Sequence, residues 1–153
     1  MQAEGSIIEL CHVTRNLDAA LAHWTRNLGA GPFFAFDVPV LPGQLYYGAP
    51  TEVSMRVGFG FSGGVLIELL EQTNDGPSPF LDFLNERGEG LHHIMPRTDF
   101  DAGYARLSAA GQEVAYSGTM PSSAEDTSSI SASHRASASA SSIPAPPAVP
   151  MSN

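Results

Sequence analysis

Near Met120 the chain changes character, and that break limits what it can fold into. Residues 121–153 hold 11 Ser, 7 Ala and 5 Pro, 23 of 33 positions, and contain no Gly, Leu, Phe, Tyr or Trp. A segment so poor in large apolar side chains cannot offset the entropy of ordering its backbone, so it reads as a disordered tail. About 120 of the 153 residues remain to build a core, which suits one domain rather than two. Charge stays with that body: carboxylates exceed Arg by 14 − 6 = 8 over residues 1–120, and by 2 − 1 = 1 in the tail.

Composition then removes several chemistries. All seven basic residues are Arg (Arg15, Arg26, Arg56, Arg87, Arg97, Arg106 and Arg135), so neither a Schiff-base lysine nor a phosphate-loop lysine is available. A net charge of −9 lacks the basic footprint of a nucleic-acid binder and disfavours anionic membranes. Cys11 stands alone, which excludes an intrachain disulfide and an all-cysteine zinc cage. The start, MQAEGSIIELCH, has neither a basic region nor the apolar run of a signal peptide. No stretch approaches the roughly 18 apolar residues of a membrane span. The expectation is a cytoplasmic protein that acts on a small molecule, without nucleic acid or membrane as partner.

Periodicity places the elements. Ser6–Val13 reads as a strand on which Glu9 and His12 point to opposite faces. Asn16 caps a helix with Leu17, Leu21, Trp24 and Leu28 on one stripe, closed by Gly29. Phe33–Val38 is a short aromatic strand. Thr51–Phe61 and Val65–Glu71 form a hairpin through Ser62, Gly63 and Gly64. Ser78 and Pro79 open a helix with Phe80, Phe83 and Leu84 on its apolar face, ended by Gly88. Leu91–Met95 is a strand, Asp99–Ala110 a helix with Phe100, Tyr104 and Leu107 inward, and Gln112–Tyr116 the start of one more strand. The helix start LDAAL followed by Gly29 is echoed by FDAGY followed by Gly111. The chain therefore reads as a βαβββ module followed by a second module that begins in the same way and stops.

Three motifs in order, VLIELLE (65–71), DGPSPF (75–80) and GEGLHHI (88–94), give residues 6–120 a resemblance to the vicinal oxygen chelate superfamily. That group includes glyoxalase I, methylmalonyl-CoA epimerase, extradiol dioxygenases and bleomycin-resistance proteins, and the run of motifs is most similar to its epimerase-type branch. The resemblance implies an α+β fold of paired βαβββ modules with the second incomplete. The first module would cover 6–75, a linker helix 78–88 and the partial second module 90–120, with the tail over 121–153.

The same resemblance implies a divalent metal ion held by one residue from each of four strands, where a hard or borderline cation would bind adjacent substrate oxygens. Counting back from Asp18 puts the first ligand at Glu9, where the family most often has His; His12, the alternative, lies on the opposite face. The second falls on Glu68. Aligned through GLHH the third is His93, the assignment adopted; counted from the following helix it is His92, the alternative. The fourth, normally a Glu in the last strand of the second module, has no counterpart in a strand-like context, since Glu125 lies in the Ser-rich tail.

A carboxylate at position 68 has apolar neighbours on both sides, where it is costly unless paired or metal-bound, so Glu68 is also the candidate catalytic residue. Cys11 is expected as a small buried hydrophobe, and His12 and His23 as structural or exposed. Phe33, Phe34 and Phe36 either wall a substrate pocket or pack. The implied function is a metal-dependent lyase or isomerase, of glyoxalase or acyl-CoA epimerase type, acting on a small substrate with vicinal oxygens. A non-catalytic, bleomycin-resistance-like binding protein, which need hold no metal, is the alternative. So is a truncated, impaired family member produced by a shifted reading frame near codon 121. An incomplete second module exposes sheet edges, which a homodimer would cover.

Overall fold

The computed structural model describes residues 3–119 and 136–139 of the chain. Strand β1 (Ile7–Val13) leads into helix α1 (Leu17–Leu28), followed by β2 (Phe34–Val38) and two short strands, β3 (Leu45–Tyr46) and β4 (Ala49–Pro50). The hairpin β5 (Met55–Ser62) and β6 (Val65–Gln72) precedes α2 (Pro79–Arg87), β7 (Gly90–Pro96), α3 (Phe100–Ala109), β8 (Tyr116–Thr119) and β9 (Ala136–Ser139). A five-stranded sheet runs β2-β5-β6-β1-β7, and a second, small sheet runs β4-β3-β8-β9. The first module thus gives four strands to the main sheet and the second module gives β7, its edge. Of the tail expected over 121–153, only β9 is described; the remainder, Glu125 included, lies outside the described residues.

The two faces of the main sheet have different partners because alternate residues separate them. On the outer face Ile67 and Leu69 pack with Leu10 against Leu17, Leu21 and Trp24 of α1. Glycine lets the layers close up here: a Cβ at Gly58 would lie 2.9 Å from Leu21 Cδ2, and one at Gly60 would lie 2.7 Å from the Phe33 ring. Asn16 caps α1 by accepting from the Ala19 N–H, and the Leu17 N–H donates to Glu71 Oε2 at 2.9 Å. The two carboxylates of the IELLE run therefore separate: Glu71 serves the helix on the outer face, and Glu68 faces inward. Leu28, expected on the buried stripe, is 54 % exposed and takes no part in the α1–sheet cluster.

On the inner face Val13, Val38, Val57 and Leu70 pack against Phe80 and Leu84 of α2 and Tyr116 of β8. This cover reaches only one end of the sheet. At the other end Phe34 and Phe61 stand exposed.

Three of the expected elements differ in bounds or in the face they bury. The strand expected from Thr51 begins at Met55, because Val53 pairs with a side chain instead of a strand: Gln44 Nε2 donates to the Val53 carbonyl at 2.9 Å, and Val53 N–H donates to Gln44 Oε1 at 2.8 Å. The strand expected from Gln112 is Tyr116–Thr119 and joins β3 in the small sheet. Tyr104 and Leu107 of α3, expected inward, are exposed, since among the described residues no strand lies beyond β7 for them to cover.

Candidate metal centre

Strand register builds the site. Phe34 pairs with Phe59, Phe59 with Glu68, Glu68 with Cys11, and Cys11 with His93, one inner-face row across all five strands. The next row along β1 contains Phe61, Leu66, Glu9 and Met95. Cys11 is fully buried at the floor, while Glu68 and His93 keep some exposure at the rim. One ligand atom each from Cys11, Glu68 and His93 lies within 4.8 Å of the other two. His93 Nε2 is 3.8 Å from Glu68 Oε2.

A bulge explains how two consecutive histidines reach the same side. Cys11 pairs with His93 but His12 pairs with Leu91, so His92 is an extra residue on β7. A bulge re-aims side chains that strict alternation would send to opposite faces. His92 packs against Phe80 and Phe83 of α2, with its Nδ1 2.8 Å from His93 Nδ1.

These contacts fix both tautomers. The Pro79 carbonyl can only accept, so His92 Nε2 carries the proton that donates to it at 3.3 Å. Burial lowers the His92 pKa, which keeps the ring neutral with Nδ1 as an acceptor. His93 Nδ1–H then donates to it, and His93 Nε2 is left with a bare lone pair on the side of Glu68 and Cys11. Burial, together with the neighbouring His92, lowers the His93 pKa to about 4, so this ring is also neutral at physiological pH. A neutral imidazole with its second nitrogen held by a hydrogen bond is the form that ligates metals.

The carboxylates are perturbed in the opposite sense. Burial, then the nearby Glu68 charge and a hydrogen bond to it, raise the Glu9 pKa from 4.5 to about 7. Burial also raises Glu68, opposed by hydrogen bonds from the Cys11 and Glu9 side chains. Burial and both carboxylates hold the Cys11 thiol protonated in the absence of a cation. A cluster with two crowded carboxyl groups, a thiol and a bare imidazole nitrogen fits a divalent cation, which would favour every deprotonated donor at once.

The structure brings together three of the four residues singled out from the sequence, Glu9, Glu68 and His93, and places His92 behind His93. It also puts Cys11 in the centre, which sequence reading treated as packing. The available signal was parity: Cys11 is two residues from Glu9 and shares its face. Glu9 itself falls outside the compact Cys11–Glu68–His93 set. His12 points to the outer face, its ring edge-on to Trp24 at 4.9 Å, and His23 is exposed and bonded to Asn27. Phe34 and Phe36 lie beside the site on the inner face, whereas Phe33 packs on the outer one. A concavity of about 1010 Å³ is formed by residues 40–45, 50–52 and 74–77, and no residue of the cluster lines it.

Residues 10–129 match the family model described as the glyoxalase/bleomycin resistance protein/dioxygenase superfamily. No curated protein matches the chain. Among solved structures, methylmalonyl-CoA epimerase from Mycobacterium tuberculosis is similar at 21% identity and a TM-score of 0.50, covering 74% of this chain and 71% of its own. A Streptomyces coelicolor methylmalonyl-CoA epimerase variant in complex with 2-nitronate-propionyl-CoA is similar at 23% identity and a TM-score of 0.50, over 79% and 82% of the two chains. A mutant of 4-hydroxymandelate synthase from Streptomyces coelicolor reaches a TM-score of 0.55 at 15% identity, covering 77% of this chain and 35% of its own. At these identities the likeness is one of fold, and it agrees with the α+β architecture described above. The chain belongs to the glyoxalase/bleomycin resistance protein/dioxygenase superfamily.

Proposed function

We propose that this protein is a metal-dependent lyase or isomerase, of glyoxalase or acyl-CoA epimerase type, acting on a small substrate with vicinal oxygens. The observation that carries the reading is His93 Nε2 standing 3.8 Å from the Glu68 carboxylate on the open part of the inner face, with its Nδ1 engaged by His92. Glu68 and His93 are the core ligands, and Glu9, hydrogen-bonded to Glu68, completes the carboxylate pair. A divalent ion held there would supply Lewis acidity toward adjacent substrate oxygens. Burial raises the pKa of both carboxyl groups, that of Glu9 to about 7, which suits proton transfer at a carbon next to a carbonyl. Phe34, Phe36 and Phe59 provide an apolar wall for the rest of the substrate.

The test is metal analysis of the dialysed protein. The wild type should retain about one divalent ion per chain, and Glu68→Ala and His93→Ala should lose it. Wild-type metal content in both variants would sink the proposal.

The exposure of the wall favours a second reading, a non-catalytic small-molecule binder on the same scaffold. Phe34 is 73 % exposed, and the described residues do not close over it. Metal-free protein whose Tm still rises on adding a small oxygenated ligand would support that alternative.

A further inference from the structure

We infer that Cys11, rather than Glu9, is the third protein ligand of this centre, so that the site selects a thiophilic ion such as Zn²⁺, Co²⁺ or Cd²⁺ over Mg²⁺. The inference rests on the metal-binding reading above and refines it. Cys11 occupies the middle position of the row Glu68–Cys11–His93, paired across the sheet with both neighbours. Its sulfur, a Glu68 oxygen and a His93 nitrogen are mutually within 4.8 Å, close enough for small side-chain rotations to bring all three onto one ion. Glu9 lies in the adjacent row, opposite Leu66 and Met95, and falls outside that compact set.

The chemistry agrees with the geometry. A fully buried thiol next to two carboxyl groups and a bare imidazole nitrogen has polar neighbours that a merely space-filling cysteine does not need. On binding M²⁺, the Cys11 S–H bond breaks, its proton leaves to solvent, and a sulfur–metal bond forms with no change of oxidation state. A soft thiolate in the ligand set favours borderline and soft ions, whereas Mg²⁺ demands oxygen donors. Glu9 then stays outside the ligand shell, hydrogen-bonded to Glu68.

The full chain, freed of metal and loaded with one equivalent of Zn²⁺, is to be examined by X-ray absorption. The inference expects a sulfur shell at about 2.3 Å. Loading with Co²⁺ should give a thiolate-to-cobalt charge-transfer band, which methionine sulfur does not produce. Because Cys11 is the only cysteine, the wild-type spectrum decides the question even if a variant does not fold. Cys11→Ala should lose band and sulfur shell, and should bind Zn²⁺ more than about ten-fold more weakly, a loss at least as large as that of an outer-shell partner. Glu9→Gln should keep both signals.

Zinc bound by the wild type through nitrogen and oxygen alone would overturn the thiolate assignment while leaving the metal reading intact. Loss of zinc in Glu9→Gln would likewise return the third position to Glu9. A wild type that retains no divalent ion overturns both readings.

Discussion

Replacing Glu9 with glutamine should stabilise the metal-free protein at high pH and leave it unchanged at low pH. Glu9 is 8 % exposed, and burial beside Glu68 raises its pKa from 4.5 to about 7. A carboxyl group whose pKa is higher folded than unfolded binds more protons in the folded state. The stability it contributes is complete below the unfolded value near 4.5 and is lost as pH rises through about 7. The gap of 7 − 4.5 = 2.5 corresponds to about 3 kcal/mol. The amide side chain of the variant never ionises, yet it can still donate to Glu68. The stability difference between Glu9→Gln and wild type should therefore grow from near zero at pH 4.5 to about 3 kcal/mol by pH 8.

The wild-type curve alone would hide this effect. His93 is lowered to about 4, so the stability it contributes is present above its unfolded value near 6.5 and is lost as pH falls toward 4. That trend opposes the carboxylate trend over much of the same range. It is common to both proteins and cancels in the difference. The assay is urea unfolding of both proteins with a chelator present, in steps from acid to mildly alkaline pH. A difference that stays flat, or that shrinks as the pH is made alkaline, refutes the raised pKa of the buried Glu9 carboxyl.

Two further substitutions test how the scaffold is held. A Cβ at Gly76 would sit 1.9 Å from the Glu52 carbonyl oxygen, a backbone atom that cannot swing aside. Gly76→Ala should therefore cost about 3 kcal/mol or more by urea unfolding, and a loss below about 1 kcal/mol would show that the loop yields. Gln44→Ala removes both partners of buried Val53, leaving its N–H and C=O unsatisfied. The expected loss is about 2–4 kcal/mol, read as a lowered Tm, and an unchanged Tm would mean that the loop re-pairs without Gln44.

Local patterning was enough for much of this molecule and failed where distant strands set the geometry. The caps Asn16 and Ser78 and the α1 stripe at Leu17, Leu21 and Trp24 all follow from spacing within one segment. The placement of His12 opposite Glu9 follows from alternation, and its contact with Trp24 agrees. Parity with Glu9 puts Cys11 on the face of the site, but its partners in the cluster come from β6 and β7, and only their pairing with β1 brings the three together. Spacing within the segment likewise leaves His92 open beside the favoured His93. Alternation assigns consecutive residues to opposite faces, and the bulge that overrides it exists only when β7 is laid against β1. Gln44 likewise looks like any loop residue until its amide is seen to act as a strand partner for Val53.

The pairing of β1 with β7 contains a second irregularity. Between Ile7 and Glu9 it is β1 that carries the extra residue, whereas between Cys11 and His12 it is β7. The two offsets have opposite sense. Partner numbers sum to 103 at Ile7–Pro96, to 104 at Glu9–Met95, Leu10–Ile94 and Cys11–His93, and to 103 again at His12–Leu91 and Val13–Gly90. The ladder behaves like a lattice with a bound pair of dislocations, whose displacement is confined to three rungs. Glu9, Cys11 and His93 all stand on those rungs, so these three side chains occupy a local phase of the sheet while both strand ends keep the other pairing.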